Sequence, residues 1–159
     1  MSCKHGHGEC VCDVVREIDD VQRKVQGSEC NVSCERSIQE LIKGNYPTKD
    51  TIPFKLIGES GDEFKAKAPV KVHANHDFCI AFVRSSYFRV EKFVKEKECC
   101  AILELLCPIK SGYKITGFQR TGACITVDLD CFCSIICLPA VKAEKVYDPA
   151  DLTCLVSEC

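Results

Sequence analysis

Val11, Val14, Val15, Ile18, Val21 and Val25 recur at intervals of three and four, with Glu17, Asp19, Asp20, Gln22, Arg23 and Lys24 largely between them. That spacing predicts an amphipathic helix over about 13–26, stopped by Gly27-Ser28. Valines are mediocre helix formers, so packing on the body or on a neighbouring subunit has to hold it. From 30 to 50 the signals are mixed: Cys30 and Cys34 bracket a short turn, and Ile38, Leu41 and Ile42 fit one further short helix before Gly44-Asn45. Beyond it come short alternating or β-branched runs: Thr51 to Ile57, Glu63 to Val72, Phe78 to Val83, Tyr87 to Val94, Cys100 to Cys107, Tyr113 to Phe118 and Ala123 to Leu138. Gly58-Glu59-Ser60-Gly61 and Ser111-Gly112 supply turns between them, and Pro53, Pro69, Pro108 and Pro139 fall near expected strand ends. Helices do not alternate with strands, which argues against a parallel α/β sheet. The expected fold is mainly β, an antiparallel sandwich or barrel-like single domain behind an amino-terminal amphipathic helix.

The polar ends divide the chain further. Residues 1–12 read as a flexible arm bearing Cys3, His5, His7, Cys10 and Cys12; 13–140 form the domain, with its β body at about 50–138; and 141–159 read as a mobile tail carrying Cys154 and Cys159. At 159 residues, 46% hydrophobic and 28% charged, the chain is large enough to bury one core without covalent help. Its fifteen cysteines therefore exceed what folding requires, and an odd count obliges at least one sulfur to stay free, bind metal or bond another chain. No apolar stretch of signal-peptide length opens the sequence and none is long enough to span a membrane, so synthesis in a cytosol and later oxidation are expected. A net charge of −2 with interspersed signs calls for neither nucleic acid nor an anionic membrane.

The densest chemistry lies in Cys124-Ile-Thr-Val-Asp-Leu-Asp-Cys131-Phe-Cys133-Ser-Ile-Ile-Cys137. As one extended strand it would project Cys131, Cys133 and Cys137 from one face, with Cys124 on the other unless a bulge intervenes. Buried small hydrophobes are the plainer reading of any one of them. Cys99-Cys100 is a vicinal pair, disfavoured for bridging to itself by the separation a disulfide requires. The arm's Cys3, His5, His7, Cys10 and Cys12 are ligand types suited to zinc, although the common finger spacings are absent; a cysteine and histidine metal-binding module is thus the alternative reading. A thiol-exchange protein is a third. Catalytic motifs are missing: no CxxC, phosphate loop, GxSxG or HExxH occurs, and His73 and His76 sit in what reads as a polar turn. Neither an enzyme nor a cofactor is expected. The cysteines at the two ends, Cys3, Cys10, Cys12, Cys154 and Cys159, are the candidates for bonds between subunits, and Cys30, Cys34, Cys99, Cys100, Cys124, Cys131, Cys133 and Cys137 for local pairing or packing.

The Cys124–Leu138 phrase, together with Tyr87-Phe-Arg-Val-Glu91 and Asp50-Thr-Ile-Pro-Phe54 in this order behind a His- and Cys-bearing start, resembles the CotY/CotZ family of Bacillus spore coat proteins, which includes the exosporium protein ExsY. The similarity spreads over roughly 10–138, and Cys30-Asn-Val-Ser-Cys34 resembles the family's paired cysteines before the first strand. The resemblance implies a protein made in the mother cell during sporulation that assembles with itself and other coat or exosporium proteins into a two-dimensional layer. It further implies hexagonal order, hexameric rings and disulfides between subunits.

Overall fold

The computed structural model describes residues 11–26, 30–43, 49–94 and 99–157. The chain divides into two units, residues 1–31 and 32–159.

In the first unit, α1 spans Val11–Gln26, with Asp13 in its first turn and Arg23 and Lys24 in its last, the charge order that complements the helix dipole. Arg23 pairs with Asp19 one turn back. Val11, Val14, Val15, Ile18, Val21 and Val25 are all exposed.

The second unit opens with α2, Cys34–Ile42, whose Ser33 cap accepts a hydrogen bond from the Arg36 N–H at 3.0 Å. Eight strands follow among the described residues: β1 Phe54–Gly58, β2 Ala66–Ala74, β3 Asp77–Ser85, β4 Tyr87–Phe93, β5 Cys100–Ser111, β6 Lys114–Asp128, β7 Phe132–Cys137 and β8 Glu144–Lys145. Six of them form one sheet in the order β7-β1-β4-β5-β6-β8, and β2 and β3 form a separate two-stranded ribbon. The architecture is therefore β-rich with some helix, and the described strands do not close into the barrel that was one of the two expected forms. All pairs are antiparallel except β6 with β8.

Turn chemistry sets the hairpins. Asn75 and His76 both take positive φ, 43° and 70°, the two-residue turn whose twist matches its flanking strands, and this joins β2 to β3. Gly112, at φ 65°, turns β5 into β6. Two boundaries differ from the sequence reading. The runs at 113–118 and 123–128 are one long strand, because Thr121 and Gly122 are absorbed as a bulge: Gly122 lies at φ 72° while Thr121 Oγ1 donates to Leu105 O at 2.6 Å. The run expected from Ala123 to Leu138 is broken at Leu129–Cys131, where the Asp128 carboxylate accepts from the Asp130 N–H at 3.0 Å and starts a helical turn.

The core lies between ribbon and sheet. Ala68, Val70, Val72, Ala81 and Val83 of the ribbon meet Phe54, Leu56, Phe88, Ala101, Leu103, Leu105 and Ala123 of the sheet, while Phe64 stacks on Phe88 at 5.4 Å. Period-two alternation in β2 and β3 puts every second residue into this cluster.

Residues 141–157, expected as a mobile tail, are docked along the domain. Val141 bridges Thr51, β8 pairs with Gln119 and Arg120, and Leu155 bridges Val83. Leu152 is 5% exposed in the core, a burial that contributes about 1.5–3 kcal/mol. Side chains add to the seam: Asp50 Oδ1 accepts from the Ala143 N–H and Gln119 Oε1 from the Thr153 N–H, both at 3.0 Å. The tail reads as polar in sequence because most of its apolar contacts are single residues.

Candidate functional site

Sulfur is the chemistry this fold positions, and it falls into two sets. In the first, cysteines close the domain on itself. Cys34 of α2 is bonded to Cys137 at the end of β7, with Cα atoms 4.8 Å apart, and Cys107 of β5 to Cys154, with Cα atoms 5.4 Å apart. Both separations lie inside the range that a disulfide spans without moving the backbone. Cys79 on β3 is disulfide-bonded as well. The first bridge belongs to a clamp: Ser37 Oγ donates to Leu138 O at 2.6 Å, and the Glu40 carboxylate accepts from the Ala140 N–H at 3.1 Å. Helix α2 is thus tied to residues 137–140 at three points.

The second set consists of thiols open to solvent. Cys12, Cys30, Cys124, Cys131 and Cys133 are free and exposed, and Cys100 is free and half-buried. Cys99 sits at φ 58° in the turn before β5, its carbonyl accepting from the Leu129 N–H at 2.8 Å, which brings the vicinal pair beside the turn that carries Cys131.

Several expectations change. Cys154, expected to reach another subunit, is bonded to Cys107 because the docked tail carries it to β5. The one-faced row of Cys131, Cys133 and Cys137 does not form: Cys131 lies in the helical turn, and Gly58 pairs with Phe132 while Ile57 pairs with Ser134, so Cys133 is the extra residue of a bulge. That bulge reverses the alternation, and Phe132 and Cys137 both pack against the core. Cys12 belongs to α1 and not to an arm. Cys3, His5, His7, Cys10 and Cys159 lie outside the described residues. Sequence reasoning passed over Cys79 and Cys107; their alternation with core-facing neighbours in β-rich runs was the signal that could have found them.

Beneath Cys124 lies a polar network on the sheet face away from the ribbon. Glu104, 2% exposed, accepts from Arg120 Nε at 3.0 Å and Nη2 at 2.9 Å, from Arg89 Nη1 at 3.2 Å and from the Gly122 N–H at 2.9 Å. Arg89, Glu104 and Cys124 stand in register across β4, β5 and β6. Burial pushes the Cys124 thiol above its ordinary range, and the Glu104 and Glu91 carboxylates push it further while Arg120 and Arg89 oppose them. Because the thiolate is the reacting species, this cysteine is held back from exchange.

Among the described residues no three His, Cys, Asp or Glu side chains are grouped to hold a metal ion. No described helix is long and apolar enough to cross a membrane.

These features define a cysteine-rich structural protein, a β domain closed by its own disulfides that presents further thiols to its surroundings. A family model described as spore coat protein Z matches residues 1–116 and 108–140. Spore coat protein Z of Bacillus subtilis (strain 168) is 30% identical over 141 residues, covering 81% of this chain and 88% of that protein. The chain belongs to the spore coat protein Z family and is a structural, non-enzymatic member of it. No solved structure matches it.

Proposed function

We propose that this chain is a subunit of a two-dimensional, hexagonally ordered layer of the spore coat or exosporium, laid down with other coat proteins and hardened by disulfides between subunits. The observation that carries the reading is the division of sulfur: the domain has its own bridges, yet Cys12, Cys30, Cys131 and Cys133 remain free on the surface. Thiols surplus to the fold and open to solvent serve contacts beyond the subunit. Assembly begins through non-covalent surfaces, and oxidation follows. Each inter-subunit bond joins two thiols with loss of two protons and two electrons to molecular oxygen or to a small-molecule disulfide. Neighbours already ordered present their thiols at high effective concentration, so few bonds are needed to make the layer permanent. The amino-terminal Cys3, Cys10 and Cys12 are assigned to such bonds, and Cys154 leaves that set.

Negative-stain microscopy and non-reducing gels of the purified chain after air oxidation test the reading. Sheets or rings are expected, with a ladder of multimers that collapses on reduction; serine at Cys3, Cys10 and Cys12 together shortens the ladder. Monomers alone after complete oxidation would overturn it.

A further inference from the structure

A sheet edge left unpaired is a template for another strand, and proteins blunt such edges with charge, proline, brevity or a covering segment. Among the described strands, β8, β2 and β3 have blunted edges. β8 is two residues long. β2 carries Pro69 with Lys67 and Lys71 on either side, all exposed. β3 is covered by the tail, through Arg84 N–H to Cys154 O at 3.1 Å and Val156 N–H to Phe82 O at 2.9 Å. β7 is different. Among the described strands it pairs with β1 alone, at the outer end of the six-stranded sheet, and its sequence Phe-Cys-Ser-Ile-Ile-Cys holds neither charge nor proline.

Side chains at this edge are equally unfinished. Ile135 stands opposite Leu56 and so shares its core-side face, yet Leu56 is 3% exposed and Ile135 52%. Beside them is a hollow of about 280 Å³ lined by Leu56, Leu129, Phe132, Cys133, Ser134 and Ile135. The backbone points the same way. Leu138 N–H donates to Pro53 O at 2.8 Å, in the register that pairs Ile135 with Leu56. Alternation along an antiparallel ladder then gives β1 the bonds of 138, 136 and 134, and turns the N–H and C=O of Ile135 outward. The bonds of the α2 clamp fall on residues 137–140, and residues 133–136 are exposed.

We infer that β7 is where a second copy of this chain adds, its own β7 running antiparallel about a two-fold axis, so that the two main sheets become one and each Ile135 is covered by the other copy. The occupant is a second copy because a two-fold sets identical patches face to face, and an uncharged strand meets itself without repulsion. Exposed Cys131 and Cys133 flank this seam on both sides. The inference rests on the layer reading and names one of its non-covalent contacts.

The test uses the full chain, freshly purified at about pH 5.5, where thiolates are scarce and exchange is slow, with a non-reducing gel confirming that chains are not covalently joined. Sedimentation is expected to show a dimer or larger species. Ile135→Lys and, separately, Ile136→Lys, both at exposed positions, weaken the association at least tenfold with circular dichroism unchanged. Amide exchange over residues 132–136 slows as wild-type concentration rises. A monomeric wild type, variants that associate as tightly as wild type, or exchange that ignores concentration would each overturn the inference. Layers and ladders that persist in the two variants sink the β7 contact and leave the layer reading standing; a wild type giving neither sinks the layer reading itself.

Discussion

Glu104 offers the sharpest test of how the sheet is held, because one carboxylate ties three strands. Glu104→Ala would strand the Arg89 and Arg120 donors and the Gly122 N–H that now point at it. Breaking a fully buried charge pair costs about 3–5 kcal/mol. Here the arginine side chains are 20% and 30% exposed, so water reaches part of each and Arg89 keeps Glu91 at 2.8 Å. We therefore expect a loss of about 2–3 kcal/mol once that screening is allowed for. Glu104→Gln keeps the shape and one acceptor but exchanges charged bonds for neutral ones, a loss of about 1–2 kcal/mol. Urea unfolding followed by circular dichroism, on protein whose exposed thiols are alkylated and whose disulfides are intact, measures both. With a slope of about 2 kcal/mol/M, Glu104→Ala moves the midpoint down by roughly 1–1.5 M without changing the slope. A second readout is coupled to the first: the glutamine variant removes a carboxylate that raises the Cys124 thiol and keeps the arginines that lower it, so unblocked Cys124 alkylates faster at pH 8 than in wild type. A loss below about 0.5 kcal/mol for Glu104→Ala, with Cys124 reactivity unmoved, would refute the clamp.

Replacing Cys34 and Cys137 together by serine opens a bridge across 103 residues of chain. The stability lost is about 2–4 kcal/mol, read as an earlier thermal midpoint; an unchanged midpoint would mean that the Ser37 and Glu40 hydrogen bonds hold α2 alone. Lys55 pairs with Glu63 and holds its carboxyl below the usual range. A depressed folded-state pKa contributes stability above the unfolded value and loses it as pH falls through the folded one, so Glu63→Gln should flatten the fall of the melting midpoint below about pH 4.3. Parallel acid profiles for the two proteins would dismiss that contribution.

Local signals were legible where one residue type does one job. Valines at helical spacing marked α1, glycine marked the β5–β6 turn, and alternation marked β2 and β3 almost to their ends. What could not be read were pairings between distant segments. The ribbon separates from the main sheet because β4 bonds β1 and β5 instead of β3, a choice made by packing that leaves no mark in either strand alone. The tail escaped for the same reason: Leu152 and Leu155 look like scattered residues until the groove that receives them exists.

The sulfur pattern shows how an alternation argument fails and what its failure exposes. Period two from Cys131 to Cys137 is sound only for an unbroken strand, and a single bulged residue reverses it. Turning Cys137 inward gives α2 its anchor, whereas Cys133, left at the bulge, stays exposed on the edge strand. One six-residue strand thereby carries both kinds of cysteine, the one that closes the subunit and the one that faces its surroundings. The odd cysteine count required that some sulfur stay outside intramolecular pairing, and the bulge is the local device that separates the two roles along β7.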